Sequence, residues 1–62
     1  MVVILNGQQH EFENGTNALD MLSKLDGDLK KAALAARVDG KVQGLAEPVN
    51  QNTDAPVQVE IL

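Results

Sequence analysis

The chain opens on an unbroken apolar run, closes on an alternation of apolar and polar residues, and has apolar residues at helical spacing between them. Met1–Leu5 is a continuous aliphatic run rich in β-branched residues, which predicts a strand. Asn6-Gly7 turns the chain back into a second strand over Gln8–Glu13. Parity then sets which residues face inward. A two-residue loop places Leu5 opposite Gln8 and puts Phe12 on the face of Met1 and Val3. A three-residue loop of Leu5, Asn6 and Gly7, with Gly7 left-handed, places Ile4 opposite Gln8 and Val2 opposite His10. We expect the second, because it buries the only aromatic with Val2 and Ile4. Gln8 and His10 then share the face of Phe12, with His10 towards the sheet edge.

Asn14-Gly15 breaks this strand, and Thr16 is a suitable N-cap for a helix over about Asn17–Leu25. Ala18, Leu22 and Leu25 form the expected buried stripe, with Leu19 or Met21 at its margin. Asp20 early and Lys24 late suit the helix dipole. Gly27 supplies a left-handed stop.

Asp28–Gly40 supports two periods. Leu29, Ala32, Ala33 and Ala36 are spaced as on a helix, whereas Leu34, Ala36 and Val38 share one face of a strand. Asp39-Gly40 before Lys41-Val42 is a hairpin signal, which joins strands more naturally than helices. The expected resolution is a helical turn at Leu29–Lys31 feeding a strand from about Ala33 to Val38. A short strand follows at Lys41–Gly44. Leu45–Pro56 is then irregular, with one turn near Ala46–Val49, and Leu45 and Val49 anchor it. Val57, Val59 and Ile61 alternate with Gln58 and Glu60 as a half-buried strand.

Hairpin, helix, hairpin, irregular crossover and final strand make a two-layer α+β domain, because one amphipathic helix covers one sheet face. The expected core is Phe12, Leu22, Leu34, Val38, Val59 and Ile61. The pattern Leu29-x-Lys31-Ala32-Ala33-x-Ala35-x-x-Val38-Asp39-Gly40-Lys41 resembles the signature of the TGS domain at the amino terminus of bacterial threonyl-tRNA synthetases. The order of elements along residues 1–62 is similar to that family throughout. Two departures are Leu5, where the family often has proline, and Asn52–Pro56, which lacks its compact acidic turn.

The resemblance implies a β-grasp (ubiquitin-like) fold, a mixed sheet of about five strands on one main helix, with the first and last strands parallel at its centre. It also implies a single, non-catalytic accessory or regulatory domain of an ATP-dependent threonine–tRNA ligase. The family's ATP and zinc sites lie in domains that follow this one, so no residue here is assigned to either. A TGS domain of a (p)ppGpp synthetase/hydrolase or an Obg-related GTPase is the alternative. In the synthetase/hydrolase, the segment equivalent to Leu29–Ala33 usually carries histidines, and here it has none. A stand-alone sulfur carrier or ubiquitin-like modifier requires a terminal Gly-Gly, and this chain ends Glu60-Ile61-Leu62.

Composition narrows the chemistry. The 62 residues include no cysteine, so neither a disulfide nor a thiolate site can reinforce a core this small. No apolar run approaches the roughly 20 residues that span a bilayer, and no signal-peptide pattern precedes the first strand. A cytoplasmic protein with no membrane partner is expected. His10, the only histidine, has Glu11 beside it in sequence but on the opposite strand face, so no acid–base pair forms. Asp26 and Asp28 flank a glycine yet fall short of a calcium loop, and the five glycines form no phosphate-binding pattern. No catalytic, cofactor-binding or metal-binding residue is assigned, and no small-molecule substrate. The chain alone is not expected to be an enzyme.

The formal net charge is -4, but all five basic residues sit in the middle third. Lys30, Lys31, Arg37 and Lys41 are therefore the candidate contacts for tRNA phosphates or for a neighbouring acidic domain. The competing reading is a solvated face that balances nine acidic residues. With no exposed aromatic for base stacking, single-strand readout is not expected.

Overall fold

The computed structural model describes residues 1–62. Five strands form one mixed sheet: β1 (Val2–Leu5), β2 (Gln8–Glu11), β3 (Ala36–Val38), β4 (Lys41–Gln43) and β5 (Val57–Ile61), in the order β2-β1-β5-β3-β4. β1 runs parallel to β5, and the other pairs are antiparallel. Helices α1 (Ala18–Leu25) and α2 (Gly27–Ala32) follow the first hairpin. The sheet, the main helix and the parallel central pair agree with the expected β-grasp.

The first hairpin departs from the expected register. Leu5 pairs with Gln8 and Val3 with His10, so the loop has two residues. Asn6 and Gly7 take φ of 47° and 86°, the left-handed pair of a type I′ turn. Val3 and Leu5 are buried, and Val2 and Ile4 lie half-buried on the opposite face. Phe12 still reaches the core, because the ladder continues beyond β2 with the Phe12 N–H donating to the Met1 carbonyl at 3.0 Å. The expectation weighed one aromatic above Leu5. Either parity brings Phe12 to an aliphatic face, and only the observed one also buries Leu5.

Helix α1 begins one residue later than expected. Asn17, not Thr16, is the N-cap, its Oδ1 accepting from the Asp20 N–H at 2.8 Å. Thr16 is engaged elsewhere: its carbonyl accepts from the Val49 N–H at 3.2 Å, and its hydroxyl donates to the Glu13 carbonyl. The buried stripe is Ala18, Met21 and Leu22, an i, i+3, i+4 set, while Leu25 is exposed. Leu25 lies in the last turn, and the half-buried Leu29 of α2 packs against the core instead. Gly27 does not stop the helix. Asp26 caps α1 in an extended conformation and starts α2, its Oδ1 accepting from the Leu29 N–H at 3.0 Å.

The expected strand from Ala33 is shorter, and Leu34 is 87% exposed rather than in the core. The Leu34 N–H donates to the Leu62 carbonyl, and the Leu62 N–H donates to the Ala35 carbonyl. Two successive residues thus oppose one, a bulge-like step that breaks the alternation leading back from Ala36. Val38 and Ile61 are half-buried against the cluster, as is Phe12. The fully enclosed core is Val3, Leu5, Ala18, Met21, Leu22, Ala36, Val49, Val57 and Val59.

The crossover from Gly44 to Pro56 is irregular but tied down. Val49 is buried, and its carbonyl accepts from the Gly15 N–H at 2.8 Å. Gln51 fastens the same loop to the first strand. Its Oε1 accepts from the Val2 N–H, its Nε2 donates to the Ala55 carbonyl, and its own N–H donates to Asn14 Oδ1. The signal for this role is only a single amide among polar neighbours.

Candidate interaction surfaces

The four candidate cations do not converge on one face. Lys30 and Lys31 occupy the last turn of α2, where positive charge offsets the helix dipole. Arg37 pairs in register with Val42 and Glu60, and its guanidinium forms an ion pair with the Glu60 carboxylate. It therefore lies on the sheet face that carries no helix. Lys41 pairs with Val38, one step along the ladder, and so lies on the other face. All four are exposed.

The open face mixes charge and aliphatic surface: Val2, Ile4 and Val42 beside Arg37, Gln58 and Glu60. Two tight turns frame it. The Asn6 N–H donates to the Val59 carbonyl at 3.0 Å, and Asn6 Oδ1 accepts from the Ile61 N–H at 3.1 Å. Across β5, the Asp39 N–H donates to the Gln58 carbonyl, and Asp39 Oδ1 accepts from the Gln58 N–H, each at 2.8 Å. A shallow depression of about 470 Å³ lies between these turns, with Arg37 and Glu60 on its wall. Opposite charges already paired leave it neither a clear anion site nor a cation site.

On the helix side, two grooves run between β2 and α1. One, of about 280 Å³, has the buried Leu5 and Leu22 at its base, with Leu25, Leu29, His10 and Asp26 around them. The second, of about 630 Å³, is bordered by Met1, Phe12, Glu13 and Lys24. His10 is half-buried, its ring centroid 6.2 Å from that of Phe12. No three histidine or carboxylate side chains come together as a metal cluster would require. No helix is long and apolar enough to cross a membrane.

Residues 1–55 match the TGS domain. This chain belongs to the TGS domain family. Threonine–tRNA ligases are among its curated relatives. The protein from Natranaerobius thermophilus is 34% identical over 56 residues, 90% of this chain and 9% of that enzyme. The ligase of Clostridium kluyveri is 39% identical over 61 residues, 98% of this chain and again 9% of the enzyme. That of Hyphomonas neptunium is 30% identical over 56 residues, 90% of this chain and 8% of the enzyme. This TGS domain thus spans less than a tenth of the relatives it matches. The β-grasp of the family accounts for the parallel β1–β5 pair and for α1 on one face of the sheet.

Proposed function

We propose that this chain is the non-catalytic amino-terminal accessory domain of a cytoplasmic threonine–tRNA ligase. One observation carries the reading: alignment with such ligases extends over 90–98% of the chain. On this reading the chain itself carries out no chemistry. The grooves lack a nucleophile paired with a base, and the titratable side chains form no cluster that would hold zinc. On the same reading ATP, zinc, threonine and the acceptor end of tRNA are handled by domains outside these 62 residues. The purified chain is expected to show no ATP hydrolysis and no threonyl-adenylate above a buffer blank. Turnover by the chain alone would overturn this.

Its contact with RNA or with neighbouring domains is assigned to Lys30, Lys31 and Lys41, with Arg37 on the far face and already paired to Glu60. The test reverses Lys30 and Lys31 to glutamate in the full-length enzyme and measures tRNA affinity at low and moderate salt. Weaker binding with a shallower salt dependence supports a phosphate contact, since fewer counterions are released. Unchanged affinity at both salts leaves these lysines as a solvated end of α2.

A further inference from the structure

The edge strand β2 lies directly above the grooves just described, and its outer side is unpaired. β2 has a single neighbour, β1, and sits at the end of the sheet order. In the antiparallel ladder, Leu5–Gln8 and Val3–His10 are the doubly bonded pairs closed by the two-residue turn. The backbone N–H and C=O groups of Gln9 and Glu11 therefore point away from the sheet. The opposite edge is a poorer template: β4 has only three residues. Beneath β2 the groove has a leucine base, and Leu25 on its rim is 40% exposed although it sits on the main helix. A free strand edge beside a slot with a leucine floor and a polar rim of Gln8, His10 and Asp26, bounded by a helix, is the arrangement that takes an extended peptide as an added strand, with alternate side chains entering the slot.

Charge selects the occupant. Glu11, Glu13 and Asp26 line the two grooves against one basic side chain, Lys24, and the Met1 ammonium, which already donates to the Phe12 carbonyl. A second copy of this chain would bring the same acidic edge against itself, which disfavours self-pairing. We propose that β2 and the α1 groove form a docking site for an extended segment of a different polypeptide. Its apolar residues alternate with lysine or arginine. The apolar side chains enter the slot formed by Leu5, Leu22, Leu25 and Leu29, and the basic ones lie on the Gln9–Glu11 side. This inference does not depend on the ligase assignment.

The test uses the 62-residue chain and a blocked hexapeptide of sequence Lys-Val-Lys-Leu-Lys-Val, titrated while backbone amides are followed by NMR. Saturable shifts are expected at Gln9 and Glu11, with slowed exchange of both amides. Gln9→Pro removes an outward N–H that β1 does not use, so the sheet is retained. It is expected to weaken binding about tenfold, the equivalent of one lost hydrogen bond at the upper end of its usual range. Leu25→Asp and the peptide Glu-Val-Glu-Leu-Glu-Val are expected to weaken binding as well. A hexapeptide methylated on its alternate backbone nitrogens tests the strand pairing without altering the protein. The proposal is overturned by shifts that do not saturate, by full affinity of the methylated peptide, or by equal affinity for the glutamate peptide.

Discussion

The two hairpins share one turn and differ in what they carry. Asn6-Gly7 and Asp39-Gly40 have nearly the same backbone, with φ of 47° and 86° in one and 49° and 85° in the other. In each, the first turn residue grips β5 through its backbone N–H and its side-chain oxygen. Yet the first hairpin brings Val3 and Leu5 into the core, whereas the second contributes only Ala36, and β4 buries nothing fully. Turn geometry is thus separable from burial. One hairpin is held by its apolar face and its turn, the other more by its turn and by the ladder to β5.

Truncating a side chain in each hairpin should separate them most. Leu5→Ala is expected to cost ~2–5 kcal/mol by chemical denaturation, as buried leucines do. That is comparable to the whole stability of a domain this size, roughly 3–9 kcal/mol at typical values per residue. Val42→Ala in the second hairpin, at a site 54% exposed, should stay within about 0.5 kcal/mol. Equal losses would mean that the hairpins share the core.

Next in size are the turn glycines. Gly7→Val and Gly40→Val each force a β-branched residue into left-handed backbone, at about 1–2 kcal/mol. The two losses should match, because the backbone strain is the same and neither site has atoms within 4 Å of an added Cβ. A clear difference in denaturation midpoint would show that burial, not the turn, sets the effect.

Smaller again are Asn6→Gly and Asp39→Gly, which keep the turn but remove its side-chain bond to β5. About 0.5–1.5 kcal/mol is expected for each. Hydrogen exchange should quicken selectively at Ile61 in the first variant and at Gln58 in the second. Quickening of both amides in either variant would couple the two clamps. Least of all, Glu60→Gln removes the partner of Arg37 from a half-exposed pair, and at most about 1 kcal/mol should be lost in low-salt denaturation.

The sequence carried the fold through local signals that agree with one another. Two turn dipeptides, one helical stripe and the alternation of Val57, Val59 and Ile61 suffice for the order of elements. The misreadings fall where two local choices are nearly equal and a distant residue decides. Thr16 and Asn17 are both good caps, and Val49 takes up the backbone of the first. Phe12 fits either hairpin parity, and the burial of Leu5 selects one. Leu34 has the right type and spacing for the core, but its backbone meets Leu62 in a bulge-like step. The basic cluster is compact in sequence because Arg37 and Lys41 are close along the chain, yet strand pairing places them on opposite faces. The β2 edge left no mark in composition. It is a property of sheet order, which emerges only once β5 is placed beside β1.

That placement has a consequence in time. β5 is the centre of the sheet and the last segment of these residues to be made, and its contacts with β1 join Val3 to Val57 and Leu5 to Val59. During synthesis, two short hairpins and two helices precede it, and neither hairpin has a partner for its inner edge. Isolated hairpins of this kind are marginal in water. The growing chain therefore has little to gain from folding early, and closing a loop of about fifty residues slows the final step. A chain truncated after Pro56 should remain protease-sensitive, and restoring Val57–Ile61 should convert it to a folded domain in a single event.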